Sequence, residues 1–316
     1  MEELLKRIID ISQNTLQIIL FIELTIGIIG NGFMALVQCM DWVKRKNMSL
    51  VNQILTALAT SRICLLWFGL IGSLNTLLYA DLATTRTMAH FTSNLWIIAN
   101  HISIWLAACL TVFYFFKIAN FSNPHFLYLK WRVKNIVSVT LLVSLIFLFS
   151  NILVVNLGIN MCINEYHQIN MSYSFVSYYY ENCQSYVIYL HIIFLCVPFV
   201  LSLSTVLLLI FSLWTHHRKM LKHAQGYRDA RTMAHFKALQ TVIAFLLLYF
   251  IFVLSLLLQL WRRELLKKRL FVLFCHILYI AFPSFHTYVL ILGDRKLRQA
   301  SLSMLWWLKC RSNCVE

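Results

Sequence analysis

The chain has 316 residues, of which 60% are hydrophobic and 12% are charged, and its formal net charge is +15. This composition carries far more apolar surface than one soluble core can bury, so it excludes an ordinary soluble domain and predicts an integral membrane protein. All basic residues except Arg62 fall outside the apolar stretches and form no nucleic-acid-binding surface, so we expect a lipid bilayer, and no nucleic acid, as a partner.

Seven apolar stretches are each long enough to cross a bilayer as an α-helix. Their predicted limits are 16–40, 53–79, 91–116, 136–159, 186–214, 238–261 and 270–292. The chain holds only eight Gly and three Pro, which favours continuous helices over barrel strands or interrupted transporter helices. We therefore predict an all-α integral membrane fold, a single seven-transmembrane helix bundle that occupies 1–316.

The orientation follows from where the basic residues stand. Lys and Arg are concentrated in the loops after the first, third and fifth stretches and in the C-terminal tail. The positive-inside rule then predicts that the N-terminus lies outside and the C-terminus in the cytoplasm. The basic segment 262–269 is an exception, because this orientation places it outside. A glycosylation sequon at Asn170 falls in a predicted outer loop, which agrees with this orientation and predicts a glycan there.

The sequence contains no arrangement of residues that is typical of a catalytic site. Gly27, Gly30 and Gly32 lie inside the first helix rather than at a strand-to-helix turn, so they favour helix packing over nucleotide binding. The histidines are dispersed, and no arrangement of Ser, His and acid is legible. We predict neither an enzyme nor a metal site, and no cofactor.

Arg62 is the most unusual polar residue within a predicted helix. A buried arginine costs several kcal/mol in a bilayer unless acceptors or water surround it. Asn31 in the first helix and His286 and Thr287 in the seventh offer such acceptors. The predicted polar contact among three helices either holds the bundle together or changes between two signalling states, and the residues leave both possibilities open.

Six short motifs stand in order along the predicted helices. They are Gly30-Asn31-Gly32-Phe33, Leu58-Ala59-Thr60-Ser61-Arg62, the stretch 113–123, Leu209-Ile210-Phe211-Ser212-Leu213, His235-Phe236-Lys237-Ala238-Leu239-Gln240 and His286-Thr287-Tyr288-Val289-Leu290. Together they resemble the bitter taste receptors, the type 2 taste receptor family of G-protein-coupled receptors. Thr287 stands where the family usually has serine. The rhodopsin-like motifs Asp-Arg-Tyr, Cys-Trp-x-Pro and Asn-Pro-x-x-Tyr are missing from the corresponding helices.

This resemblance implies a multi-pass plasma-membrane receptor that binds a bitter small-molecule agonist and activates a gustducin-type heterotrimeric G protein. Its implied activation and coupling residues are Asn31, Arg62, Tyr114, Lys117, Ser212, His286 and Thr287. For Tyr114 and Lys117, anchoring at the membrane interface is the alternative role. A vomeronasal-type pheromone receptor is the closest alternative function, and a small-solute transporter is a more distant one.

The resemblance also implies a ligand pocket. Its predicted residues are Trp96, Asn100, Phe252 and His276. Trp96 and Asn100 are one helical turn apart, so a flat apolar ring and an amide can face the same ligand. Interface anchoring for Trp96 and ordinary packing for Phe252 remain the alternatives. A histidine at 276 carries no permanent charge and predicts pH-sensitive recognition.

Overall fold

The computed structural model describes residues 2–78, 86–119, 121, 123–168, 173–222, 230–261 and 269–313. Within these ranges the chain forms helices and no strands. The helices are α1 Glu2–Arg45, α2 Leu50–Leu78, α3 Arg86–Ile118, α4 Pro124–Trp131, α5 Val133–Gln168, α6 Tyr173–Lys222, α7 Ala230–Trp261, α8 Arg269–Gly293 and α9 Arg295–Asn313. Seven of them, all except α4 and α9, are long and apolar enough to cross a membrane. This confirms the predicted all-α seven-helix membrane fold.

Several helices continue past the apolar stretches that predicted them. The largest difference is in α6, which has 50 residues against the predicted stretch 186–214. Helices extend in this way because polar residues at the ends of a span still form backbone hydrogen bonds to the turn before them. Pro198 and Pro283 lie inside α6 and α8, where each removes a backbone donor.

The seven spanning helices form a bundle around α3, whose spanning stretch Asn94–Ile118 has the largest buried share of the seven. α3 packs against α2, α5 and α6, while α1 packs against α2 and α8, and α7 packs against α6 and α8. The faces turned away from these contacts are apolar, as Ile146 and Phe149 of α5 illustrate. Lipid covers such surfaces in a membrane protein. We call the end where α1 begins the N-terminal end of the bundle, and the end where α8 meets α9 the C-terminal end.

The last helix is joined to the bundle by polar contacts at the C-terminal end. The Asp294 carboxylate accepts hydrogen bonds from the backbone N–H groups of Lys296 and Leu297, at 2.9 and 3.0 Å, and so caps the start of α9. Lys296 Nζ then lies 2.8 Å from a carboxylate oxygen of Asp41 in α1. Asn52 of α2 donates to the same Asp41 oxygen at 3.0 Å. One partly buried carboxylate therefore connects α1, α2 and α9.

Gly27 lies at a close approach between α1 and α8. A Cβ atom at this position would overlap with Ser284 Oγ and would lie 2.9 Å from a methyl group of Leu66. We expect Gly27→Ala to destabilise the bundle by about 1–3 kcal/mol through overpacking, visible as reduced surface expression and a lower melting temperature. Gly32→Ala is the matched control on the same helix, since a Cβ there meets nothing within 4 Å. Equal melting temperatures for the two variants would contradict the close approach.

Candidate functional site

The polar residues predicted to meet in the bundle do meet, around a fully buried Arg62. Its Nη1 donates to Thr287 Oγ1 at 3.2 Å, its Nη2 lies 2.6 Å from His286 Nδ1, and its Nε donates to Ser103 Oγ at 3.3 Å. Thr287 in turn donates to Asn31 Oδ1 at 2.8 Å. We call these five residues of α1, α2, α3 and α8 the Arg62 cluster.

The cluster differs in two details from what the sequence predicts. Asn31 does not accept a hydrogen bond from Arg62; it is connected to the arginine through the Thr287 hydroxyl. Asn31 Nδ2 instead donates to the carbonyl groups of Gly27 and Pro283. Ser103 is an additional member that the sequence analysis missed. Its position, seven residues after Trp96 and therefore on the same face of α3, is the signal that points to it.

The guanidinium group of Arg62 determines the state of its histidine partner. A guanidinium carries only donors, so His286 Nδ1 must accept and the imidazole must be neutral, with its proton on Nε2. No carboxylate pairs with Arg62 among the described residues. The ring of Phe282 lies 5.3 Å from Arg62 Cζ, and a desolvated cation–π contact of this kind contributes about 2 kcal/mol.

Two of the predicted ligand residues are joined through Tyr279, which the sequence analysis did not single out. The ring of Trp96 in α3 stacks on Tyr279 in α8 with a centroid separation of 5.7 Å. Phe252 of α7 lies 4.8 Å from the same tyrosine ring. Asn100 is buried one turn beyond Trp96. Three helices therefore contribute aromatic rings to one interior region on the N-terminal side of the Arg62 cluster.

Aromatic contacts continue from this region towards the Arg62 cluster. Phe252 contacts Phe282 and Tyr249, with centroid separations of 5.6 and 6.0 Å. Phe282 and Phe245 both contact His286, at 5.7 and 5.0 Å. We call the rings of Trp96, Tyr279, Phe252, Tyr249, Phe282 and Phe245 the aromatic column. Its α7 members recur at spacings of four and three residues, a helical pattern that was already visible in the sequence.

His276 lies apart from the aromatic column. It precedes Tyr279 and Ile280 by about one helical turn and shares their side of α8, but its side chain is exposed. Among the described ring contacts, none joins His276 to the column. An apolar groove of about 590 Å³ lies between residues 11–16 of α1 and the first turns of α8, with Thr15 and Phe274 in its lining, and it includes none of the four predicted ligand residues.

The residues predicted to couple to a G protein lie near the C-terminal end. Tyr114 is partly buried in α3, whereas Lys117 is exposed and its Nζ lies 5.6 Å from the ring centroid of Phe113. Ser212 is buried in α6. All three residues therefore lie at the same end of the bundle.

At the same end, α4 packs against the last turn of α3. The rings of Phe115 and Phe116 pack against Phe126 of α4, with centroid separations of 5.7 and 5.6 Å. Lys130 Nζ donates to the carbonyl of Ala119, the residue after α3, at 2.9 Å. These contacts hold the last turn of α3 and therefore fix the surroundings of Lys117. Asn170, the predicted glycosylation site, lies outside the described residues.

Comparison with known proteins identifies the family. The family model described as Taste receptor protein (TAS2R) matches residues 8–309. Taste receptor type 2 member 109 of Rattus norvegicus is 72% identical over 316 residues, which cover 100% of this chain and 99% of that protein. Taste receptor type 2 member 117 of Rattus norvegicus is 66% identical over 319 residues, covering 100% and 99% respectively. Taste receptor type 2 member 14 of Macaca mulatta is 49% identical over 294 residues, covering 93% and 92%.

These similarities extend over the full bundle and include every helix that contributes to the Arg62 cluster. They confirm the resemblance seen in the six motifs and exclude the pheromone-receptor and transporter alternatives. The chain therefore belongs to the type 2 taste receptor family: it is a bitter taste G-protein-coupled receptor and a multi-pass protein of the plasma membrane, and it is not an enzyme.

Proposed function

We propose that this receptor binds bitter small molecules beside Trp96, Asn100 and Phe252 and activates a gustducin-type heterotrimeric G protein. One observation carries the proposal. Trp96, Asn100 and Ser103 recur at helical spacing on a single face of α3, and Ser103 accepts a hydrogen bond from Arg62. A molecule that contacts the first two side chains is therefore connected through one helix face to the buried guanidinium.

The chemistry of this region suits a small, largely apolar ligand with a polar group. Trp96 and Phe252 offer ring faces, and the neighbouring Asn100 amide can both donate and accept hydrogen bonds. His276, exposed one turn nearer the N-terminal end, provides a further polar contact at the rim. Such a combination of apolar walls with a few placed polar groups is typical of small-molecule sites.

Signalling requires that the agonist bind one arrangement of the bundle more tightly than another, since equal affinity shifts no equilibrium. We assign this switching role to Asn31, Arg62, His286 and Thr287. Their hydrogen bonds cross between helices and can be exchanged as helices shift. Tyr114, Lys117 and Ser212 then contribute to the surface that meets the G-protein α subunit.

A panel of bitter compounds applied to cells that express the receptor with a gustducin chimera tests this function. We expect at least one compound to produce a concentration-dependent calcium response that untransfected cells lack. An inactive panel despite confirmed surface protein would contradict bitter agonism. A response that persists without the chimera, through an endogenous G protein, would contradict gustducin-type selectivity while leaving agonism intact.

The proposed orientation places the N-terminus outside and the C-terminal end of the bundle in the cytoplasm. Basic residues of α9, such as Lys296 and Arg298, support this orientation, because Lys and Arg are enriched on the cytoplasmic side.

We further propose that Asn170 carries an N-linked glycan. Asn170→Gln should abolish the change in electrophoretic mobility that glycosidase produces in the wild-type receptor. An unchanged glycosidase shift in this variant would contradict the assignment.

A further inference from the structure

We propose that Phe282 is the positioning residue that couples the ligand pocket to the Arg62 cluster. The proposal rests on the binding role assigned to Trp96 and Phe252. On one side, the Phe282 ring lies 5.6 Å from Phe252 and 5.4 Å from Tyr249, measured between centroids. On the other side, its centroid lies 5.3 Å from Arg62 Cζ. In the part of the chain that the structure describes, no other ring contacts both Phe252 and the guanidinium.

Close packing makes this double contact consequential. Phe282 and Phe252 are each 1% exposed, so neighbouring protein groups surround both rings. In a close-packed protein interior, a displaced side chain pushes on the side chains that it contacts. A ligand that shifts Phe252 therefore changes the position available to Phe282.

The contact between Phe282 and Arg62 is electrostatic. Arg62 has three hydrogen-bond partners and the Phe282 ring face, and no carboxylate among the described residues. The attraction between a cation and a ring depends on the cation lying over the ring face. Movement of Phe282 therefore changes the stability of the arrangement in which Arg62 bonds to Thr287 and His286.

The backbone beside Phe282 is suited to movement. Pro283 follows it inside α8 and has no N–H to complete the helical hydrogen-bond ladder. The Pro283 carbonyl accepts a hydrogen bond from Asn31 of α1 at 3.2 Å. This turn of α8 is thus held partly by side chains of the Arg62 cluster, and an exchange of those bonds can accompany a shift of the helix.

Phe282→Leu and Phe282→Tyr in the full-length receptor test the proposal. Leucine keeps apolar volume but removes the ring face, whereas tyrosine keeps the ring and adds a buried hydroxyl. We expect Phe282→Leu to reduce the surface-normalised maximal agonist response about threefold or more, with a half-maximal concentration within about threefold of the wild type. We expect Phe282→Tyr to keep most of the maximal response. Phe285→Leu, on an exposed side of the same helix, is the matched control and should leave both quantities unchanged.

The relative losses of maximal response in Phe282→Leu and Phe282→Tyr distinguish a coupling role of Phe282 from a purely structural one. A purely structural role predicts that tyrosine is at least as harmful as leucine, because burying an unpaired hydroxyl is costly. The proposal would be overturned if Phe282→Tyr lowered the maximal response at least as much as Phe282→Leu did. It would also be overturned if Phe282→Leu left the response unchanged, or changed only the half-maximal concentration. Phe282→Met replaces the leucine variant if the latter does not reach the surface, since methionine fills irregular space without a ring.

The pocket is tested separately in the same assay. An unchanged half-maximal concentration in Trp96→Ala would contradict the binding role of the pocket while leaving the order of the Phe282 variants interpretable. If Trp96→Ala raised the half-maximal concentration and Phe282→Leu left the maximal response unchanged, the binding role of Trp96 would stand. The coupling role of Phe282 would then be rejected.

Discussion

Arg62→Met is expected to leave the receptor folded and at the cell surface but to reduce its maximal agonist response about tenfold or more. Methionine approximates the length of the arginine stem and removes a charge that costs several kcal/mol to bury in a bilayer. This gain offsets the loss of the three hydrogen bonds to Ser103, Thr287 and His286. This variant should therefore keep its stability and lose most of its signalling.

Calcium responses normalised to surface expression, together with the melting temperature of the purified receptor, measure the two effects. Arg7→Met is the control, because this arginine is exposed in the first turns of α1 and pairs only with the exposed Glu3 among the described residues. A wild-type response from Arg62→Met would show that the Arg62 cluster is a structural contact and not a switch. If Arg62→Met lowered both the melting temperature and the calcium response, the prediction that it impairs signalling without impairing folding would be wrong.

Trp96→Ala is expected to raise the half-maximal agonist concentration about 30-fold or more, since removal of an aromatic anchor from a binding site typically costs about 2 kcal/mol or more. The substitution removes the indole that stacks on Tyr279 and so opens the side of the proposed pocket formed by α3. The maximal response should change much less, because Trp96 lies about two helical turns from Ser103, the member of the Arg62 cluster on α3. Asn100→Ala should lower potency by a smaller factor.

Concentration–response curves in cells with the gustducin chimera measure this potency. Trp67→Ala removes a tryptophan from α2 that is 49% exposed on the surface of the bundle, and it controls for the general loss of a large ring. If the Trp96 and Trp67 variants were equally potent, Trp96 would be an interface anchor and not a ligand contact.

Much of the fold was predictable because the bilayer restricts it so strongly. Backbone polar groups have no water partner in the hydrocarbon region, so each long apolar stretch must be a helix. The predicted stretches 53–79 and 270–292 correspond closely to α2 and α8 for this reason. The ends of α1 and α6 were harder to predict, since a helix can extend beyond the apolar span where its polar residues cost nothing to expose.

The Arg62 cluster was predictable in part. A polar residue in a membrane helix needs a partner, which is why the sequence alone predicts Asn31, His286 and Thr287 as partners of Arg62. Which atom bonds to which depends on the rotation and depth of each helix. Neither is encoded by composition, so the Thr287 bridge between Asn31 and Arg62 and the participation of Ser103 appear only in the bundle.

Tyr279 and Phe282 show the limit of sequence reasoning most clearly. Aromatic residues are so frequent in this chain that two more in an apolar helix carry no signal. The sequence alone determined the membrane class, the seven helices, the family motifs and the buried arginine, because local apolarity and the cost of burying charge act at single positions. Only the tertiary structure decided that Tyr279 joins Trp96 to Phe252 and that Phe282 faces Arg62, because contacts between helices depend on packing that no single helix specifies.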